Sequence, residues 1–257
     1  MKEEIITRLN DVETKERVKI LYACESGSRA WGFPSANSDY DVRFLYLHPK
    51  DWYLSIDLEL KQDVIERPIN DQIDLSGWDL RKALRLFRKS NPPLMEWLGS
   101  PIVYWDKYST ATQMRQLADT YYSPKACMYH YLHMARGNYR EYLKGEQVWT
   151  KKYFYVLRPI LAINWLERGW GVVPTDFRVM ANQLFNSGEL KREIENLINA
   201  KMLGEELDYG PRIPVISNFI DKEIERLEGK QFADGTHPCS ADQLNGLFRF
   251  ALDEVWL

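Results

Sequence analysis

The chain has 257 residues, room for one large or two modest cores, and its 45% hydrophobic and 28% charged residues exclude a disordered or fibrous protein. A net charge of −3 excludes a protein that coats nucleic acid by bulk electrostatics, so any such contact must rest on a local basic patch. Three scattered cysteines (Cys24, Cys127 and Cys239) exclude a disulfide framework; a charged start, MKEEIITRLN, and the lack of any apolar run of about 18 residues predict a cytoplasmic protein with no membrane span.

Residues 18–24 (VKILYAC) form an apolar run of strand length that ends at a Ser-Gly-Ser turn. Residues 41–47 (DVRFLYL) alternate as a second strand, and 71–75 (DQIDL) read as a third. Ser76 and Asp79 then have the spacing of a capping box, predicting a helix from about Gly77 to Ser90 with Leu80, Ala83, Leu84 and Phe87 on one face. Asn91-Pro92-Pro93 ends it. Beyond residue 105 the periodicity turns helical. Helices are expected near 124–143, 151–168 (with Pro159 inside), 190–203, 211–227 and 241–255. The predicted fold class is therefore α+β: a mixed sheet-and-helix domain over 1–105, then an all-helical domain over 106–257 that closes one side of a cleft.

Chemistry gathers in Gly27 to Arg43, GSRAWGFPSANSDYDVR. On a strand, side chains at i and i+2 share a face, so Asp39 and Asp41 set two carboxylates side by side. Such a pair repels itself unless a positive charge lies between its members, and a hard cation such as Mg²⁺ meets that need with carboxylates, water and substrate phosphates. Gly27 and Ser28, at a turn entering a short helix, offer backbone N–H groups and a hydroxyl to phosphate oxygens. A phosphate grip beside a metal clamp is what in-line nucleotidyl transfer requires. An Asp-x-Asp alone is common in surface loops; here it follows a strand–turn–loop at a fixed remove, which favours the functional reading.

This motif resembles the signature of the DNA polymerase β nucleotidyltransferase superfamily. GSRAWGFPSANSDYDVR, IDLSGWDLRKALRL, KSNPPLMEWLGSPIVY and KKYFYVLRP together resemble a narrower family of bacterial and phage nucleotidyltransferases associated with RNA repair. The resemblance implies a nucleoside triphosphate substrate, two Mg²⁺ ions (Mn²⁺ as the alternative), and an acceptor, an RNA end first, with protein and small-molecule acceptors still open. It also implies a third carboxylate from a neighbouring strand. Glu66, Asp71, Asp74 and Asp79 are the candidates. Asp74 is preferred because, between Ile73 and Leu75, it would face away from two core residues; Asp71 is next.

Asp39, Asp41 and Asp74 are thus the expected metal ligands and catalytic carboxylates, with Gly27, Ser28, Arg29 and Ser38 on the nucleotide side. Residues 125–168 hold eight Lys or Arg against three Glu, and basic and aromatic side chains interleave there. Lys151, Lys152, Tyr155 and Arg158, together with Lys82 after the third strand, are further nucleotide-binding candidates. The rival readings are a non-catalytic nucleotide- or RNA-binding protein on the same fold and a protein-modifying nucleotidyltransferase. No sequence feature specifies an oligomeric state.

Overall fold

The computed structural model describes residues 1–70, 72–204, 207–232 and 240–257, so Asp71 and Cys239 lie outside the described residues. Its contacts divide into two compact units. The first contains Met1–Ala30, Asp39–Tyr122 and the C-terminal helix; the second contains Trp31–Ser38 and the segment that starts at Ser123. This partition differs from a single cut at residue 105. The loop Trp31–Ser38 belongs with the second unit, and the last helix with the first.

The first unit is built on a five-stranded sheet of order β3-β4-β2-β1-β5. Its strands are β1 (Lys19–Glu25), β2 (Tyr40–Leu47), β3 (Val64–Asn70), β4 (Ile73–Asp79) and β5 (Val103–Asp106). Two antiparallel pairs, β1–β2 and β3–β4, lie side by side through a parallel β2–β4 contact. Helix α1 (Lys2–Glu16) places Ile5, Leu9 and Val12 on one stripe, which packs with Ile20, Ala23, Val42, Phe44, Ile73 and Leu75 of the sheet in one core. Each of the larger of these side chains, fully buried, contributes about 1.5–3 kcal/mol.

The remaining helices of this unit are α2 (Gly27–Ala30), α3 (Lys50–Tyr53), α4 (Leu80–Arg88), α5 (Pro92–Leu98), α6 (Thr110–Tyr121) and, later in the chain, α12 (Asp242–Trp256). The face of α4 is the expected one: Leu80, Ala83, Leu84 and Phe87 are buried. Its start is not. Strand β4 runs on through Ser76 and Gly77, and Asp79 is itself the N-cap, accepting the Arg81 amide at 2.8 Å. Gly77 makes the longer strand possible, because a Cβ there would lie 2.1 Å from Cε2 of Phe44.

In the second unit, α7 (Pro124–Asn138) passes into a π turn over Tyr139–Leu143, so the helix expected to 143 changes its winding near its end. There follow α8 (Lys152–Glu167), α9 (Phe177–Leu184), α10 (Glu189–Met202) and α11 (Pro214–Arg226). α8 contains Pro159 and is buried on every side, which makes it the central helix of this unit. A short antiparallel pair, β6 (Gln147–Trp149) and β7 (Tyr209–Pro211), is added to the helices. Among the described residues no helix is long and apolar enough to cross a membrane.

Candidate active site

Strand β4 alternates strictly: Ile73, Leu75, Gly77 and Asp79 are buried, while Asp74, Ser76 and Trp78 face the other way. The parallel register sets Asp41 beside Asp74 and Arg43 beside Ser76, so all four share one face of the sheet. Two carboxylates from different strands therefore stand as neighbours, as the sequence predicts for Asp41 and Asp74.

Between them lies Arg43. Its Nη2 donates to Asp41 Oδ1 at 3.1 Å and to Asp74 Oδ2 at 2.7 Å, and its Nη1 reaches the Asp74 carbonyl at 3.3 Å. The guanidinium supplies the positive charge that a paired carboxylate site requires. Sequence reading overlooked Arg43, although the i, i+2 spacing that pairs Asp39 with Asp41 also brings Arg43 onto the same face.

A close backbone approach holds Asp41 in place. Gly27 has φ +57°, and a Cβ on it would come within 2.0 Å of Asp41 Oδ2. Ser26 donates its amide to the Asp41 carbonyl at 2.8 Å, and the Asp41 amide donates to Glu25 Oε1 at 2.8 Å. Glu25 is fully buried and also accepts from the Tyr104 hydroxyl. Burial pushes the Glu25 carboxyl above its ordinary range, with the Tyr104 hydroxyl and the Asp41 amide opposing that rise. Glu25 and Tyr104 thus brace the backbone of Asp41, a role that only the folded register discloses.

Asp39 precedes β2 by one residue and is exposed. Its carbonyl accepts Arg29 Nε at 3.2 Å, and the Arg29 guanidinium lies 3.7 Å from the Tyr40 ring centroid. Lys82 is not brought to the carboxylates. It follows the far end of β4, beyond roughly 17 Å of strand from Asp74 at about 3.3 Å per residue, and pairs with Asp63 at 2.8 Å. The expected helix start at Gly77 would have put it nearer; the longer strand carries it away.

The other candidates lie in the second unit. Ser38 is buried, with its hydroxyl 3.0 Å from that of Ser35. Lys151 is exposed. Lys152 Nζ stands 4.3, 5.1 and 4.7 Å from the rings of Tyr142, Trp149 and Tyr155. Tyr155 meets Trp31 edge-on. Arg158 is 2% exposed and donates to the Thr175 carbonyl at 3.2 Å, with Trp31 5.1 Å from its guanidinium carbon. Arg158 is thus buried in its own unit, which its sequence neighbours Lys151 and Tyr155 do not reveal.

Among the described residues no group of three or more His, Cys, Asp or Glu is arranged as a metal cage. The Asp41–Asp74 pair nevertheless suits a hard cation in its chemistry. It is an oxygen-only donor set that already gathers positive charge, and Mg²⁺ is commonly held by one or two carboxylates, with substrate completing its shell.

The model of the RNA repair pathway DNA polymerase beta family matches residues 1–250. The curated protein YcgL of Bacillus subtilis (strain 168), itself described as uncharacterized, is 52% identical over 257 residues, covering 100% of this chain and 98% of its own. A solved nucleotidyltransferase-like protein from Exiguobacterium sibiricum 255-15 is similar over 88% of this chain and 75% of its own, at 11% identity and a TM-score of 0.33.

Proposed function

The chain belongs to the RNA repair pathway DNA polymerase beta family, and from that premise we propose that it transfers a nucleoside monophosphate from a nucleoside triphosphate to the hydroxyl of an RNA end, releasing pyrophosphate. The observation that carries this reading is the register of β2 and β4, in which Asp41 and Asp74 share one face above the Gly27 turn.

Asp41 and Asp74, with Asp39 at the mouth of β2, would hold the divalent ions, Mg²⁺ or Mn²⁺. Bound there, such ions neutralise the triphosphate and make the acceptor hydroxyl more acidic. The chain's own residues do the rest. Gly27 and Ser28 offer N–H groups and a hydroxyl to the phosphates, and Arg29 adds charge beside them. Asp74, one strand further out than Asp41, would accept the proton that leaves the attacking hydroxyl. Arg43 bridges the two carboxylates until the ligands arrive.

Lys151, Lys152 and Tyr155 remain nucleotide-binding candidates from the sequence, with Lys152 and Tyr155 in an aromatic cluster. The Arg43 ion pairs also favour a second reading, nucleotide binding without transfer, in which the guanidinium permanently satisfies both carboxylates.

Incubation with each nucleoside triphosphate labelled at its α-phosphate, Mg²⁺ and total RNA, beside the Asp41→Ala protein, separates these. Label in RNA with the intact protein alone supports transfer. Label with both proteins would remove the carboxylate site, and label on protein would replace the acceptor. Nucleotide bound with no label anywhere would leave the binding reading.

A further inference from the structure

Beyond Asp74 the same face of β4 continues through Ser76 to Trp78. Above it is an open groove of about 710 Å³, lined by Arg43 and Asp74, by Ser76 and Glu66, and by Trp78 and Trp97. The antiparallel register sets Glu66 of β3 beside Ser76. The two indoles pack together with centroids 3.9 Å apart, tilted by 33°. At about 3.3 Å per residue, Trp78 stands roughly 13 Å along the strand from Asp74.

The lining decides what such a groove can take. Its cations, Arg43 and Arg67, are matched by its anions, Asp74 and Glu66, and each arginine is already paired, Arg67 with Glu16. A track for a phosphate chain would carry a clear positive excess. This one is neutral, with aromatic surface at one end and, midway, a hydroxyl and a carboxylate able to meet a polar ring edge. The volume is that of a small-ligand site.

The geometry points to this groove as the seat for the last bases of a single-stranded RNA acceptor. The end of the strand lies along β4, a base stacks against Trp78, and the terminal hydroxyl is directed toward Asp74. Glu66 accepts from exocyclic amino groups, so ends rich in adenine or cytosine bind better than uracil ends. Naming RNA as the occupant rests on the transferase reading above; the groove's preference for a flat polar ring does not.

Anisotropy of a fluorescently labelled single-stranded tetranucleotide, measured with EDTA present, tests binding apart from transfer. Trp78→Ala should weaken binding about tenfold and Trp78→Phe far less, since stacking on one ring is the contact removed. Between about 50 and about 200 mM salt the affinity of the intact protein should change by less than about threefold, because a neutral groove displaces few counterions. Ile69→Asp, on the exposed wall, gives a second variant with little risk to the core and should also weaken binding severalfold. Equal binding by the intact protein and by Ile69→Asp and Trp78→Ala would overturn the proposal, as would a steep salt dependence. A tyrosine-containing peptide that binds where the tetranucleotide does not would replace RNA with a protein acceptor. Trp78-dependent binding without RNA labelling would leave the groove and sink the transferase reading. RNA labelling with an unchanged acceptor KM in Ile69→Asp and Trp78→Ala would do the reverse.

Discussion

Asp41 and Asp74 are register partners on adjacent parallel strands, joined by the single guanidinium of Arg43 at 3.1 and 2.7 Å. If the pair holds the ions of the transfer reaction, Asp41→Asn or Asp74→Asn should lower label incorporation by roughly a hundredfold or more, the scale on which one preorganised charged group acts. The melting temperature should shift little, because Arg43 keeps one carboxylate partner in either variant. Comparing initial rates and thermal melts of the same preparations checks both halves. Transfer at the wild-type rate in Asp74→Asn would move the third carboxylate elsewhere.

Gly27→Ala should affect the same site from its backbone side. The methyl group would overlap Asp41 Oδ2, and a residue with a Cβ at φ +57° carries a further strain of about 1–2 kcal/mol. The expected outcome is a loss of transfer like that of Asp41→Asn, together with a lower urea midpoint. A fully active Gly27→Ala protein would show that the Asp41 carboxylate need not stay where it lies.

Arg43 and a divalent ion compete for the same two carboxylates. Part-buried ion pairs of this kind are worth on the order of 1 kcal/mol, so Arg43→Gln should tighten Mn²⁺ binding about fivefold when measured by calorimetry without nucleotide. The variant should also gain more thermal stability from added Mg²⁺ than the intact protein does. Weaker Mn²⁺ binding in Arg43→Gln would mean that Arg43 organises the ligands instead of opposing the ion.

Asp79, the N-cap of α4, gives a pH signature remote from the site. Burial raises its carboxyl to about 6, against the pull of the Tyr53 hydroxyl and the Arg81 amide. The folded protein therefore keeps a proton that the unfolded chain releases from 3.8 upward. This group's contribution is complete below pH 3.8 and is lost as pH rises through about 6. At 1.36 kcal/mol per pH unit the full effect is about 3 kcal/mol. Asp79→Asn retains a cap acceptor without the charge, so the stability difference between variant and wild type should grow in the variant's favour between pH 4 and pH 6.5. Parallel urea titrations across that range read it directly, and a flat difference would show that Asp79 does not titrate there.

What the sequence made visible follows from how each element meets solvent. β1 and β2 were legible because one is almost wholly apolar and the other has an apolar end. Asp74 was legible because its neighbours Ile73 and Leu75 must point into the core. The edge strand β3 was not: VIERPIN carries charges and Pro68, which an edge tolerates but which removes the usual strand pattern. α1 was missed because only three of its residues are buried among many charges. Within the site, Arg43 escaped notice because alternation fixes a side chain's face but not its partner, and that partner, Asp74, comes from another strand. The placement of Lys82 was illegible through one shift of boundary, since the helix begins three residues later than its expected start, adding about 10 Å of strand at about 3.3 Å per residue.

The central parallel contact also bears on how the active chain is made. β1–β2 and β3–β4 are each antiparallel pairs of strands successive along the sheet, whereas Asp41 and Asp74 meet only when one pair docks on the other. Long-range parallel pairing is slow to form, because loop closure is paid before its contacts return anything. A nascent or misfolded chain holding either hairpin alone owns half of the carboxylate pair. Competence for chemistry would therefore emerge late and all at once, and a rise in metal affinity during refolding would time the docking of the two hairpins.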